Sequence, residues 1–173
     1  AKYINSNENL VYSKKKHLFA LNLAKQSDSK QIILVEGYMD AISLYQRGFN
    51  NVVASLGTAL TEEQGRLLRK YCEQVILSYD SDGAGQEAIM RGLSILENQG
   101  CDARVLQMEG AKDPDEYINA FGITRFNNCI AKRKPDMMYL MDTFETDYDV
   151  TQNSQKVSFV SSILEYMHFI KKN

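Results

Sequence analysis

No run of apolar residues in this sequence approaches the roughly 18–20 needed to cross a bilayer. The opening, AKYINSNENLVYSKKKH, is polar and basic and lacks the apolar core of a secretion signal. Both absences point to a cytoplasmic protein with no membrane partner. Cysteine is sparse: Cys72, Cys101 and Cys129 are odd in number, far apart and without C-x-x-C spacing. That pattern argues against a disulfide framework and a zinc site and suits a reducing compartment. Histidine is limited to His17 and His168, both in flanking segments where structural or exposed roles are expected. Net positive charge is missing too: 20 basic against 22 acidic side chains leave −2, so the chain as a whole has no basic footprint for nucleic acid. Internal repeats and low-complexity tracts are also absent.

What remains is an ordinary soluble composition, 44% apolar and 24% charged over 173 residues, enough for one domain with an appendage. The spacing of Leu18, Leu21 and either Phe19 or Leu23 predicts a helix over about 13–26. Then "KQIILVEG" gives a continuous apolar run ended by a turn, as expected of a strand buried on both faces. "YMDAISLYQRG" reads as a helix closed by Gly48, "NVVAS" as a strand, and "TEEQGRLLRKYC" as a helix with a capping box from Thr61 to Gln64. "QVILSYD" is a third strand, "GQEAIMRGLSILENQG" a helix closed by Gly100, and "ARVLQM" a fourth strand. A loop "EGAKDPDEY" and a short helix near 115–121 follow. This β-α-β-α-β-α-β order predicts an α/β fold with a parallel sheet of about four strands and helices on both faces. From about 123 the style changes. "KRKP" reads as a break, and Met137, Leu140, Met141 and Phe144, then Val157, Val160, Leu164 and Met167, mark two paired amphipathic helices with those side chains as core.

The short stretch "YDSDGAG" carries the chemistry. Asp80 and Asp82 stand where a buried strand should turn into a helix. At about 4 Å and an effective dielectric near 20, two such charges repel by on the order of 4 kcal/mol, so a cation is needed to hold them together. Glu36 ends the first predicted strand, Asp40 lies one helical turn beyond it, and Asp113 and Asp115 follow the fourth strand. In an open parallel sheet all six carboxylates fall at the carboxyl edge, where ligands bind. Oxygen donors with no histidine or cysteine beside them fit a hard divalent ion, Mg²⁺ first where phosphates are handled. Taken singly, each acid fits a plainer role: Asp80 to Gly83 as a turn with a helix cap, and "DPDE" as a helix start with Pro114 near its first position. An EF-hand reading fails, because the twelfth position from Asp80 is Arg91 instead of a bidentate glutamate. A haloacid-dehalogenase-type phosphatase keeps its aspartate pair on the first strand and leaves Glu36 without a role, so it is a weak rival to a Toprim site.

Taken together, "VEGYMDAISLYQRG", "VASLGTALT", "YDSDGAG" and "KDPDEY" resemble, in order and spacing, the Toprim half of bacterial replicative primases of the DnaG type. "KYINSNENLVYSKKKHLFALN" resembles the segment that leads into that domain. The departures are Ser81, where the family often has glycine, and Asn7 and Asn9, where it often has proline. The resemblance implies a basic lead-in over 1–29, a Toprim domain over 30–121 and a C-terminal helical subdomain over 122–173. It implies a nucleotidyltransferase that makes short RNA primers on a single-stranded DNA template from ribonucleoside triphosphates. Such an enzyme works beside a replicative helicase, contacted through a region absent here. Glu36 would be catalytic, and Asp80, Asp82, Asp40, Asp113, Asp115 and Glu36 would hold Mg²⁺, with Mn²⁺ able to substitute and no zinc. Lys2 and Lys14 match basic positions facing nucleotide and template, and Gly83 and Gly85 would let backbone approach phosphate. The chain is then expected to be a fragment that binds metal but makes primers poorly. The alternatives are another Toprim phosphotransferase, topoisomerase or nuclease, and a non-catalytic metal-binding interaction module.

Overall fold

The apolar runs become β1 (Gln31–Val35), β2 (Val52–Ala54), β3 (Gln74–Leu77) and β4 (Asp102–Val105), parallel and ordered β2-β1-β3-β4. The computed structural model that shows this describes residues 9, 12–55, 59–149 and 151–172, with backbone only at 147 and 169–172. Lys2 and positions 56–58 of the "LGT" turn therefore lie outside the described residues. Register is tight across the centre, with Ile33 opposite both Val52 and Ile76.

Alternation along the strands divides the core between two layers. Ile32, Leu34, Val75 and Leu77 face α3 (Glu62–Tyr71) and α4 (Gly83–Asn98) and pack on Leu68, Leu93 and Leu96. Ile33, Val35 and Ile76 face α2 (Tyr38–Gln46) and α5 (Pro114–Ala131) and pack on Leu44, Ile118 and Phe126. Both predicted glycine stops are present, Gly48 at φ 96° and Gly100 at φ 70°, a left-handed conformation costly for any other residue. The capping box also forms: the Gln64 N–H donates to the Thr61 hydroxyl (3.2 Å) and the Thr61 N–H to Gln64 Oε1 (3.1 Å).

The helix expected over 13–26 is not continuous. A 3-10 turn at Lys14–Lys16 leads through extended His17 to Phe19, and only Leu21–Ala24 (α1) is α-helical. Phe19 instead pairs with β2: its N–H donates to the Ala54 carbonyl (2.9 Å) and its carbonyl accepts from the Ala54 N–H (3.2 Å). Sheet pairing outweighs the local helical spacing here, and Ala20 turns the chain at φ 61°.

Two further expectations change beyond residue 113. The short helix extends to Ala131 across an interruption at Gly122 (φ 77°, ψ 174°), because Phe126 in its second half is buried in the core against Phe49. The "KRKP" break is a fifth strand, β5 (Lys134–Pro135), antiparallel to β4. Of the helices α6 (Asp136–Asp147) and α7 (Asn153–Lys172), α6 buries Leu140 and leans Met137 and Phe144 on the core, but Met141 is exposed. The stripe Val157, Val160, Leu164 and Met167, expected as core, is exposed as well. α7 docks through its other side, where Phe159 meets Tyr148 and the Tyr166 hydroxyl donates to the Met90 carbonyl (3.4 Å).

Candidate metal centre

The chain goes from β1 through α2 to β2 on one side, then returns through α3 on the opposite face to β3, on the other flank of β1. β1 and β3 are thus neighbours whose connections diverge, and the crevice beyond their carboxyl ends is where such sheets take ligands. Glu36 follows β1 directly and Asp80 closes the turn after β3, so the two meet there: the Asp80 N–H donates to Glu36 Oε1 (3.3 Å).

The other acids reach the same crevice from helix starts. Asp82 caps α4 by accepting from the Gly85 N–H (2.9 Å), and Asp113 caps α5 by accepting from the Glu116 N–H (2.7 Å). Asp40, on the first turn of α2, accepts from the Asp115 N–H (3.3 Å), which ties α2 to α5. Asp115 contributes this backbone donor while its own carboxylate accepts from the Asn119 amide (2.7 Å). Gly83 faces open space, whereas the room at Gly85 is taken by the Asp80 carbonyl. Lys14 lies at the start of α3, where its carbonyl accepts from Gln64 Nε2 (2.9 Å).

Crowding of acids leaves an electrostatic signature. Burial, then the charge of Asp80, raises the Glu36 carboxyl above its usual range. Burial and Asp113 do the same to Asp80. Asp40, only 9% exposed, is pushed up to about 6 by burial and then by Asp113. Lys112, which the sequence reading passed over, opposes both shifts at Glu36 and Asp80. Its signal was its place immediately before the acids of "DPDE".

The donor set fits a hard cation: five carboxylates, those of Glu36, Asp40, Asp80, Asp82 and Asp113, with Asp115 turned to Asn119 and no sulfur or imidazole in the motifs that carry them. Among the described residues no three of these side chains already form a closed coordination cluster. Helix starts and backbone bonds gather them, and Glu36, Asp40, Asp80, Asp82 and Asp113 each lie within electrostatic reach of another of the five.

Asp40 makes this testable. Its carboxyl pKa is about 6 when folded against roughly 3.9 unfolded. The folded protein therefore binds the proton more tightly, and the contribution to stability, full below about pH 4, is lost as pH rises through 6. Two pKa units correspond to about 3 kcal/mol, reduced to about 2 by residual solvent contact. In metal-free buffer, Asp40→Asn is expected to match wild type at pH 4 and exceed it by about 2 kcal/mol at pH 7.5 in urea unfolding. Equal stability at both pH values rules out the crowding.

A parallel sheet with acids at its switch point, flanked by helices on both faces, defines a Toprim-type domain, and a family model described as Toprim-like matches residues 33–118. A DNA primase of Clostridium acetobutylicum is 40% identical over 165 residues, 95% of this chain and 28% of that protein. The crystal structure of a DNA primase domain from Pseudomonas aeruginosa superposes with a TM-score of 0.83 at 31% identity, over 96% of this chain and 55% of that one. A DnaG primase catalytic domain bound to single-stranded DNA gives 0.83 at 28% identity, over 97% and 56%. The chain belongs to the bacterial DnaG-type primases, whose Toprim domain it carries. It spans less than a third of the length of the curated relative above.

Proposed function

We propose that this chain is the metal-binding half of a primase catalytic core, which makes short RNA primers on a single-stranded DNA template. The observation that carries the reading is the meeting of Glu36 with Asp80 at the switch point, with Asp40, Asp82 and Asp113 around them. DNA-bound relatives, one with single-stranded DNA and one with a duplex carrying a 6-nucleotide overhang, support a template partner.

In nucleotidyl transfer the primer 3′-hydroxyl oxygen bonds to the α-phosphorus of a ribonucleoside triphosphate, and pyrophosphate leaves with the electrons of the broken P–O bond. Asp80, Asp82, Asp40, Asp113 and Glu36, and Asp115 on leaving Asn119, would hold Mg²⁺, which when bound neutralises phosphate charge and acidifies the attacking hydroxyl. Glu36 would act there as metal ligand or in proton transfer, and before a cation binds, burial and Asp80 raise its basicity above that of a free carboxylate. The Asp80 N–H holds its Oε1 in place. Lys2 and Lys14 would face nucleotide and template, and of residues 122–173, α6 and α7 would complete the core as its helical part.

A Mn²⁺ soak of crystals, read by anomalous scattering, tests the reading. Ions at Asp80, Asp82 and Asp113 with Glu36 in reach support it. An ion on Asp80 and Asp82 alone, with Glu36 turned away, favours a phosphatase-like site instead.

A further inference from the structure

The loop before α5 is fastened to the loop after β3. The Ser81 N–H donates to the Lys112 carbonyl (2.9 Å), and the Ser81 hydroxyl donates to the Ala111 and Lys112 carbonyls (3.3 Å each). On its other side the Lys112 N–H donates to Glu116 Oε2 (2.8 Å). The backbone of residue 112 is therefore fixed in both directions, next to Asp113 and across from the residue between Asp80 and Asp82. Its side chain is treated differently. Lys112 is exposed, and its ammonium takes part in none of the four ion pairs formed among the described residues.

A lysine whose backbone is pinned while its ammonium stays unpaired, beside a crowd of carboxylates, is placed for a ligand more negative than any one of them. A nucleotide polyphosphate carries several negative charges and must approach an edge that otherwise repels it. Lysine meets phosphate as a mobile point charge, without the fixed fork of arginine. We infer that the Lys112 ammonium binds the polyphosphate of the incoming nucleotide, and that Ser81 positions it by strapping its loop to the β3–α4 turn. The inference rests on the nucleotidyl-transfer reading and adds to it the residue that meets the β- and γ-phosphates.

Calorimetric titration of ATP and of AMP in magnesium buffer, and of Mn²⁺ alone, tests it on the wild-type chain and on Lys112→Ala, Lys112→Arg and Ser81→Gly. Lys112→Ala is expected to weaken ATP about tenfold and leave AMP within about twofold, the loss of one charge-assisted phosphate contact. Lys112→Arg restores ATP binding, and Ser81→Gly, which keeps the backbone bond but lacks the hydroxyl, falls between. Mn²⁺ alone binds Lys112→Ala as well as wild type or more tightly, because a neighbouring positive charge has gone. Wild-type ATP affinity in Lys112→Ala overturns the inference and leaves the metal reading intact if Mn²⁺ still binds. Parallel loss of ATP, AMP and Mn²⁺ means a collapsed loop and overturns it too. A wild-type chain that binds neither ATP nor Mn²⁺ removes the inference together with the reading beneath it.

Discussion

Glu36→Gln, in a primase polypeptide that carries this chain, is expected to lower primer synthesis about a thousandfold while leaving the fold as stable as before. The substitution keeps the size of the side chain and an oxygen that can accept from the Asp80 N–H. It removes a carboxylate whose charge state is already disfavoured by burial and by Asp80. Unfolding should therefore occur at the same temperature or slightly higher. Loss of activity without loss of stability separates chemistry from architecture, since a structural residue at this depth would reduce both. Primer synthesis is read from incorporation of labelled ribonucleotide on a single-stranded template, and stability from thermal unfolding in metal-free buffer. Synthesis within about tenfold of wild type would remove Glu36 from proton transfer, because a general base contributes more than that.

The second large effect is steric. A Cβ on Gly85 would sit 2.8 Å from the carbonyl carbon of Asp80 and closer still to its oxygen, a separation that real side chains do not adopt. Gly85→Ala must then push the β3–α4 turn away or unwind the start of α4. Overpacking of this kind costs about 1–3 kcal/mol, and losing the Asp82 cap on the Gly85 N–H adds about 1. A total of about 2–4 kcal/mol is expected in urea unfolding, with weaker Mn²⁺ binding, because Asp80 and Asp82 move together. Gly83→Ala is the matched control. Nothing lies within 4 Å of its added carbon, and alanine is the better helix former, so it should be neutral or mildly stabilising. Equal stability of the two variants would mean that the close approach of Gly85 to Asp80 does not constrain the turn.

The strand runs, the capping box and the acids at strand ends were legible because each rests on local chemistry. An apolar run ending in Glu36-Gly37 needs no distant partner to be read as a buried strand. Convergence of Glu36 with Asp80 followed from the parallel topology alone. Features set by contacts distant in sequence were not legible. Phe19 leaves a helical pattern because Ala54, thirty-five residues later, offers a backbone pair. α7 carries an aliphatic stripe and an aromatic one, and its periodicity does not tell which finds a surface to cover. Within the site, the spacing of "KDPDEY" could not tell that the Asp115 carboxylate turns to Asn119, or that Lys112 is held by Ser81.

The pairing of Phe19 with β2 and of Lys134–Pro135 with β4 has a consequence for solubility. Phe19 flanks β2 on one side of the sheet and β5 flanks β4 on the other, and both come from outside the 30–121 stretch that holds the six acids of the site motifs. A polypeptide trimmed to that stretch would keep its carboxylates and lose both covers. Rows of backbone donors and acceptors would then lie open for another molecule's strand to join, the usual route from a trimmed α/β domain to an aggregate. Pro135, which has no N–H to offer, also makes the last strand a poor template for further addition. The flanking segments thus cover both sides of the sheet and leave its carboxyl edge, where the acids lie, as the open one.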